Sequence, residues 1–100
     1  MATFSSPRYT RYLERNLAFI RDLKSKLACK RCGFNEHPAA LEFHHRDPTQ
    51  KKSTVPRMVY RARSLKDIQA EIDKCDVLCA NCHRIRSRRQ RVQRLQEKSA

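Results

Sequence analysis

Apolar residues near the start of the chain recur every three or four positions. Six of them fall on one helical face: Tyr9, Leu13, Leu17, Ile20, Leu23 and Leu27. Most arginines of this segment fall outside that face, which is typical of an amphipathic helix. Pro7 follows two serines and suits the first turn of a helix. The pattern therefore predicts a helix from Pro7 to Leu27.

The middle of the chain changes from a two-residue period to a helical one. Leu41–His44 alternates apolar and polar residues, which predicts a short strand. Residues 46–56 are polar and contain two prolines, which favours a loop. Ser64 then precedes a second helical stripe, in which Cys75 serves as a small buried apolar residue. This stripe consists of Leu65, Ile68, Ile72 and Cys75.

The last part of the chain combines a minimal strand with a basic helix. Val77 and Leu78 predict the strand, and a helix is expected from about Ala80 to Gln96. The apolar stripe of this helix is narrow: Ile85, Val92 and Leu95.

Composition narrows the classes of protein that fit these elements. The chain has 100 residues, of which 39% are hydrophobic and none is tryptophan, so one small domain with a thin core is expected. It lacks an apolar run of the ~20 residues that a membrane-spanning helix needs. Residues 1–10 lack the continuous apolar stretch of a signal peptide. Lys and Arg number 23 against 10 acids, and this net charge of +13 indicates an acidic partner, with nucleic acid as the default candidate.

Five cysteines in a thinly cored chain point to a metal. Four of them form two C-x-x-C pairs, Cys29 with Cys32 and Cys79 with Cys82. Four thiolates match a tetrahedral structural zinc site, whose binding energy becomes folding energy. The alternative is a set of reduced, buried thiols.

Three histidines occupy positions that the zinc site would bring together. His44 and His45 end the predicted strand, and His83 follows the last cysteine pair. His44 and His83 can meet on one divalent cation, because imidazole suits such metals. His45 points to the other strand face if the strand is regular, so the following loop must re-aim it. We expect His45 to act as a general base, since the ordinary pKa of imidazole is ~6.5.

Three segments together resemble the zinc-containing branch of the HNH endonucleases, which are small ββα-metal nucleases of phages, bacteria and mobile elements. The segments are Cys29-x-x-Cys32-Gly33, Leu41-Glu42-Phe43-His44-His45-Arg46-Asp47-Pro48 and Lys74-Cys75-Asp76-Val77-Leu78-Cys79-Ala80-Asn81-Cys82-His83-Arg84. The resemblance covers roughly residues 29–89. It implies an α+β fold: a small zinc-stabilised ββα-metal, treble-clef-like domain over residues 29–90. An N-terminal basic helix (1–28) precedes it, and the end of a basic C-terminal helix (91–100) follows.

The resemblance also implies a chemistry. His44 and His83 would ligate a catalytic divalent ion such as Mg²⁺, Mn²⁺ or Ni²⁺, and His45 would be the general base. DNA would be cut or nicked to leave 5′-phosphate and 3′-hydroxyl ends. The expected setting is the cytoplasm of a bacterium or a phage-infected cell, with phage packaging or other mobile-element proteins as further partners. The alternative is a non-catalytic, zinc-stabilised module that binds nucleic acid.

Two positions depart from the family pattern. The middle Asn that orients the base histidine in many members falls at Lys74, which cannot accept a hydrogen bond. Asp76, Asn81 or a loop carbonyl are the alternatives for that role. A further metal ligand of some members falls at Ser87, which is a poor ligand.

The last helix carries the expected DNA contacts. Its arginines are predicted to bind phosphates: Arg84, Arg86, Arg88, Arg89 and Arg91. Phosphate contacts of this kind position a protein without reading base sequence. Arg57 and Arg61 are equally open to phosphate contact or plain solvation.

Overall fold

Four helices surround a two-stranded antiparallel sheet in the computed structural model, which describes residues 6–99. Residues 1–5 of the segment predicted to lack an export signal lie outside this range. The elements in chain order are α1 (Pro7–Lys24), β1 (Leu41–His45), α2 (Val55–Tyr60), α3 (Leu65–Ile72), β2 (Cys75–Cys79) and α4 (Ala80–Ser99). Short 3₁₀ turns at Pro38–Ala40 and Pro48–Gln50 flank β1. The α+β class predicted from the sequence is confirmed.

Local sequence signals explain where the helices begin. Ser6 caps α1 by accepting a hydrogen bond from the Tyr9 amide (3.1 Å), and Pro7 takes the first turn. Ser64 caps α3 in the same way, through the amide of Asp67 (3.1 Å). The predicted cap at Ser64 is therefore present.

One helix prediction and one loop prediction need correction. α1 ends at Lys24 rather than Leu27, and Leu27 packs instead against the buried cysteines. The loop predicted for residues 46–56 gives way to α2 at Val55, where Thr54 caps the helix by accepting from the Arg57 amide (3.2 Å). A capping Thr followed by Pro in the first turn is a start signal that the polar composition obscured.

Both strands are longer than the sequence pattern indicated. β1 extends to His45, and β2 starts at Cys75 rather than Val77. The register runs from Leu41 opposite Cys79 to His45 opposite Cys75. Cys75 is buried as predicted, but it begins a strand instead of ending a helix.

The core has two parts. One part joins the cysteine pairs to the sheet and consists of Cys29, Leu41, Leu78, Cys79 and Cys82. The other joins α2 to α3 and consists of Val55, Met58, Val59, Ile68 and Ile72, with α1 residues packed on it. No helix within residues 6–99 combines the length and apolar character that crossing a bilayer requires.

Candidate functional site

Four cysteine sulfurs converge where the sheet meets α4. Cys29 and Cys32 lie in the turn after α1, Cys79 ends β2, and Cys82 lies in the first turn of α4. The four Sγ atoms all lie within 4.8 Å of one another, and the Cys32 and Cys79 sulfurs are 3.8 Å apart. A tetrahedral zinc ion with Zn–S bonds of about 2.3 Å holds its sulfurs about 3.8 Å apart. The four cysteines are therefore positioned to hold a metal ion such as zinc.

Backbone amides support this thiol cluster. The Cys32 amide donates to Cys29 Sγ and the Cys82 amide donates to Cys79 Sγ, each at 3.5 Å. Burial alone would raise the pKa of the Cys29 thiol, but the amides of Cys32, Cys79 and Arg31 lower it to about 6. Gly33 adopts a φ of +81°, a conformation that a side chain would strain, and its amide closes the turn onto the Cys29 carbonyl (2.8 Å).

The three predicted histidines line one cleft of about 610 Å³, which we call the histidine cleft. The rings of His44 and His83 meet edge to face with their centroids 4.9 Å apart. His45 does not join this contact, because β1 remains regular through residue 45 and the side chain turns toward α3. The loop therefore does not re-aim His45, although its ring still borders the cleft.

His44 is a buried imidazole with a free nitrogen. Its side chain is 6% exposed, and within the described residues its Nε2 atom has no hydrogen-bond partner. Burial, followed by the charges of His83 and Arg86, lowers the pKa of His44. The ring is therefore neutral at neutral pH, and neutral imidazole is the form that ligates a metal.

His83 is oriented by a carboxylate from the neighbouring strand. Its Nδ1 atom lies 2.8 Å from Glu42 Oε1. An imidazole that donates from Nδ1 to a carboxylate keeps a lone pair on Nε2, and this arrangement is common around protein-bound metals. The unpartnered nitrogen of His44 and this tautomer of His83 both fit ligation of a divalent cation. Ser87 borders the same cleft one helical turn after His83.

His45 forms a buried pair with Glu71, a residue that the sequence analysis did not single out. The His45 Nε2 and Glu71 Oε2 atoms are 2.7 Å apart, and the side chains are 8% and 2% exposed. Glu71 also accepts from the Lys52 amide and from Lys74 Nζ, each at 3.0 Å. Burial would raise the pKa of Glu71, but these donors, with His45, lower it to about 2. The ionised carboxylate accepts a proton-bearing Nε2, which leaves Nδ1 of a neutral His45 as the nitrogen that can take up a proton.

Neither Asp76 nor Asn81 occupies the position beside His45. Glu71 occupies it instead, one helical turn before Lys74, and Lys74 is one of its donors. Glu71 lies three residues after Ile68, on the same face of α3, and this spacing is the sequence signal that could have identified it. Charged residues at such positions are rarely fully buried unless they are paired.

Asp76 organises a separate cluster of cations. It accepts hydrogen bonds from Lys30 (3.1 Å), Arg46 (3.3 Å) and Arg86 (2.8 Å). Burial would raise the pKa of the Asp76 carboxyl, but the three cations, Arg86 foremost, hold it below its usual range. Arg86 of α4 therefore already has an ion-pair partner within the protein, Asp76. The other four arginines predicted to bind phosphate are exposed on α4: Arg84, Arg88, Arg89 and Arg91.

Comparison with models of protein families, with curated proteins and with solved structures finds no match for this chain. What the molecule shows is a small α+β fold with a four-cysteine site suited to a metal such as zinc.

Proposed function

We propose that this protein is a zinc-stabilised, metal-dependent DNA endonuclease of the HNH type. The observation that carries the proposal is the buried contact of 2.7 Å between His45 and Glu71, beside a cleft that is also lined by His44, whose buried Nε2 has no hydrogen-bond partner among the described residues. One imidazole is thereby prepared to take a proton, while His44 and His83 remain available as ligands.

His45 accepts the proton of the attacking water at Nδ1 in this mechanism. The negative charge of Glu71 stabilises the imidazolium that results, as the aspartate of a serine protease triad does for its histidine. The water oxygen bonds to phosphorus, and the bond from phosphorus to the 3′ oxygen breaks. The products therefore carry a 5′-phosphate and a 3′-hydroxyl.

His44 and His83 would hold the catalytic cation. When bound, such a cation would polarise the phosphoryl oxygen and stabilise charge on the departing 3′ oxygen. Imidazole nitrogen suits Mn²⁺ and Ni²⁺ better than Mg²⁺, which prefers oxygen ligands. We therefore expect Mn²⁺ or Ni²⁺ to support faster nicking than Mg²⁺.

The test is nicking of supercoiled plasmid in Mg²⁺, Mn²⁺ and Ni²⁺ by the wild-type protein and by His45→Gln. Glutamine can still donate to Glu71, but it cannot take up a proton, so nicking is expected to fall at least a hundredfold. His37→Ala is the matched control, because His37 is exposed outside the cleft and its loss is expected to change nothing. Zinc content and melting temperature are measured for each variant.

The second candidate is a non-catalytic module that binds nucleic acid. The near-complete burial of His45 favours it, since an imidazole paired with a buried carboxylate also serves as a structural element. Wild-type protein that binds DNA but nicks it in none of the three metals would establish this alternative.

A further inference from the structure

A second cleft, of about 790 Å³, lies between α2 and α3 and includes Glu71 in its lining. Six cations line it: Lys51, Lys52, Arg57, Arg61, Arg63 and Lys74. The acids on its wall are Asp67 and the buried Glu71. We call this cleft the basic groove.

Most of the positive charge in the basic groove is uncompensated. Lys74 binds Glu71 and the Gln50 carbonyl, each at 3.0 Å. Within residues 6–99, the side chains of the other five cations form no ion pair, and all five are exposed. Like charges held this close repel one another, and a polyanion that enters the groove removes that repulsion.

The segment that carries Arg61 and Arg63 is held rigidly from inside the protein. Asn16 of α1, with 0% exposure, donates to the carbonyls of Val59 (3.3 Å) and Arg63 (3.0 Å). Ala62, between the two arginines, adopts a φ of +56°, which is uncommon for a residue with a side chain. The backbone that carries the two arginines is therefore held from inside the protein, while their exposed side chains line the groove.

The basic groove adjoins the histidine cleft. Lys51 and Thr54 line both of them. Glu71 also reaches from the floor of the groove to His45. A phosphate chain that enters the histidine cleft can therefore continue past Lys51 into the groove.

We infer that the basic groove binds the sugar-phosphate backbone of duplex DNA next to the bond that is cut. This inference rests on the proposed nuclease function and names the surface that holds its substrate. α4 supplies a further exposed basic surface and lines the histidine cleft through Ser87, Gln90 and Arg94, whereas the groove meets the cleft at Lys51 and Thr54. The groove positions the DNA strand over His45. Contacts to phosphates, whether from the groove or from α4, do not read base sequence.

The experiment compares two triple variants with equal charge loss. The groove variant is Lys52→Gln/Arg57→Gln/Arg61→Gln. The control is Arg8→Gln/Arg11→Gln/Lys66→Gln, whose residues are exposed and line neither cleft. Each lowers the formal net charge from +13 by three, to +10.

Binding of a fluorescein-labelled DNA duplex is measured by anisotropy over a range of salt concentrations, without added divalent cation or chelator. The logarithm of the DNA-binding constant falls linearly with the logarithm of the salt concentration. The groove variant is expected to make this fall less steep by about 0.9 for each lost phosphate contact, and so by about 2.7 for three contacts. The control is expected to leave the slope nearly unchanged. Plasmid nicking by both variants is followed in Mn²⁺.

Equal slopes for the two variants would refute DNA binding by the groove, even if the wild-type protein nicks plasmid. A slope that falls only for the groove variant, with no nicking by any preparation, supports the groove and removes the nuclease proposal. Tighter binding of an RNA duplex of the same sequence overturns the assignment to DNA. A melting temperature shared by both variants and the wild-type protein shows that folding is not the cause.

Discussion

Replacement of Glu71 by alanine removes the acceptor of three hydrogen bonds in the protein interior. The donors are His45 Nε2 at 2.7 Å, the Lys52 amide at 3.0 Å and Lys74 Nζ at 3.0 Å. Lys74 can turn to the Gln50 carbonyl and to water, but His45 Nε2 lies in a buried contact and loses its acceptor. A stranded buried donor costs about 1–3 kcal/mol. With a partly exposed amide added, we expect Glu71→Ala to lower the free energy of unfolding by about 2–4 kcal/mol.

Replacement of Glu71 by glutamine isolates the charge. Glutamine keeps one oxygen that accepts from His45 and from the Lys52 amide, so the expected loss of stability is smaller, about 1 kcal/mol. A hydrogen bond to an ionised group contributes about 1.5–3 kcal/mol and a neutral one about 0.5–1.5 kcal/mol. Their difference of about 1–1.5 kcal/mol applies where His45 becomes positively charged, in the transition state. Since each 1.36 kcal/mol is about tenfold in rate, the nicking rate is expected to fall about tenfold.

The assay pairs urea unfolding with plasmid nicking in Mn²⁺ at saturating protein. Glu71→Gln is expected to reduce the nicking rate per bound DNA, whereas a purely structural role would leave that rate unchanged. Asp67→Asn is the matched control, because Asp67 is an exposed carboxylate of the same helix. Wild-type nicking by Glu71→Gln, alongside inactive His45→Gln, would refute the account of Glu71 as the residue that positions and charges His45.

Cys79→Ser, like metal removal by a chelator, is expected to abolish the cooperative thermal melt, because structural zinc supplies about 10–16 kcal/mol; an unchanged melt would remove the metal assignment. Burial, followed by the charge of Glu71, raises the pKa of Cys75 to about 11. Its alkylation at neutral pH, followed by mass spectrometry, is therefore expected to be about a hundredfold slower than that of an ordinary thiol, and a normal rate would contradict its burial. Asp76→Asn is expected to cost about 1–3 kcal/mol in urea unfolding at neutral pH. Because the folded protein holds the pKa of Asp76 below its ordinary value, this cost shrinks as the pH falls through the folded-state pKa, and a cost that grows in acid would reverse the argument.

Signals carried by adjacent residues predicted much of the fold. The C-x-x-C pairs, the alternation at Leu41–His44 and the cap at Ser64 each depend on a few neighbouring positions, and each corresponds to the structure. The predicted strands were too short because neither segment alone shows which residues pair with the other strand. Pairing with His45 adds Cys75 to β2. α2 was missed because two prolines and a polar composition outweighed the capping signal at Thr54.

The sequence predicted one of the two main contacts of the candidate site and missed the other. The contact between His44 and His83 followed from the expected zinc site, which brings the strand near the start of α4. The partner of His45 was not found, because Glu71 is separated from it by 26 positions and reaches it only through the packing of α3. The family pattern placed the partner of His45 at Lys74, three positions after Glu71. Sequence spacing located the helix, but tertiary packing decided which side chain faces inward.

The pairing of Leu41 with Cys79 ties the alignment of the sheet to the metal site. A ribbon of two five-residue strands is too short to choose its own alignment, and a slip by one position reverses the face of every side chain. Such a slip would turn His45 toward α4 and His44 toward α3, and would separate His45 from Glu71 and His44 from His83. Because Cys79 belongs to the four-cysteine cluster, a metal bound there would hold the end of β2 in place opposite Leu41. We therefore expect a single-residue deletion within β1 to break the contact between His45 and Glu71.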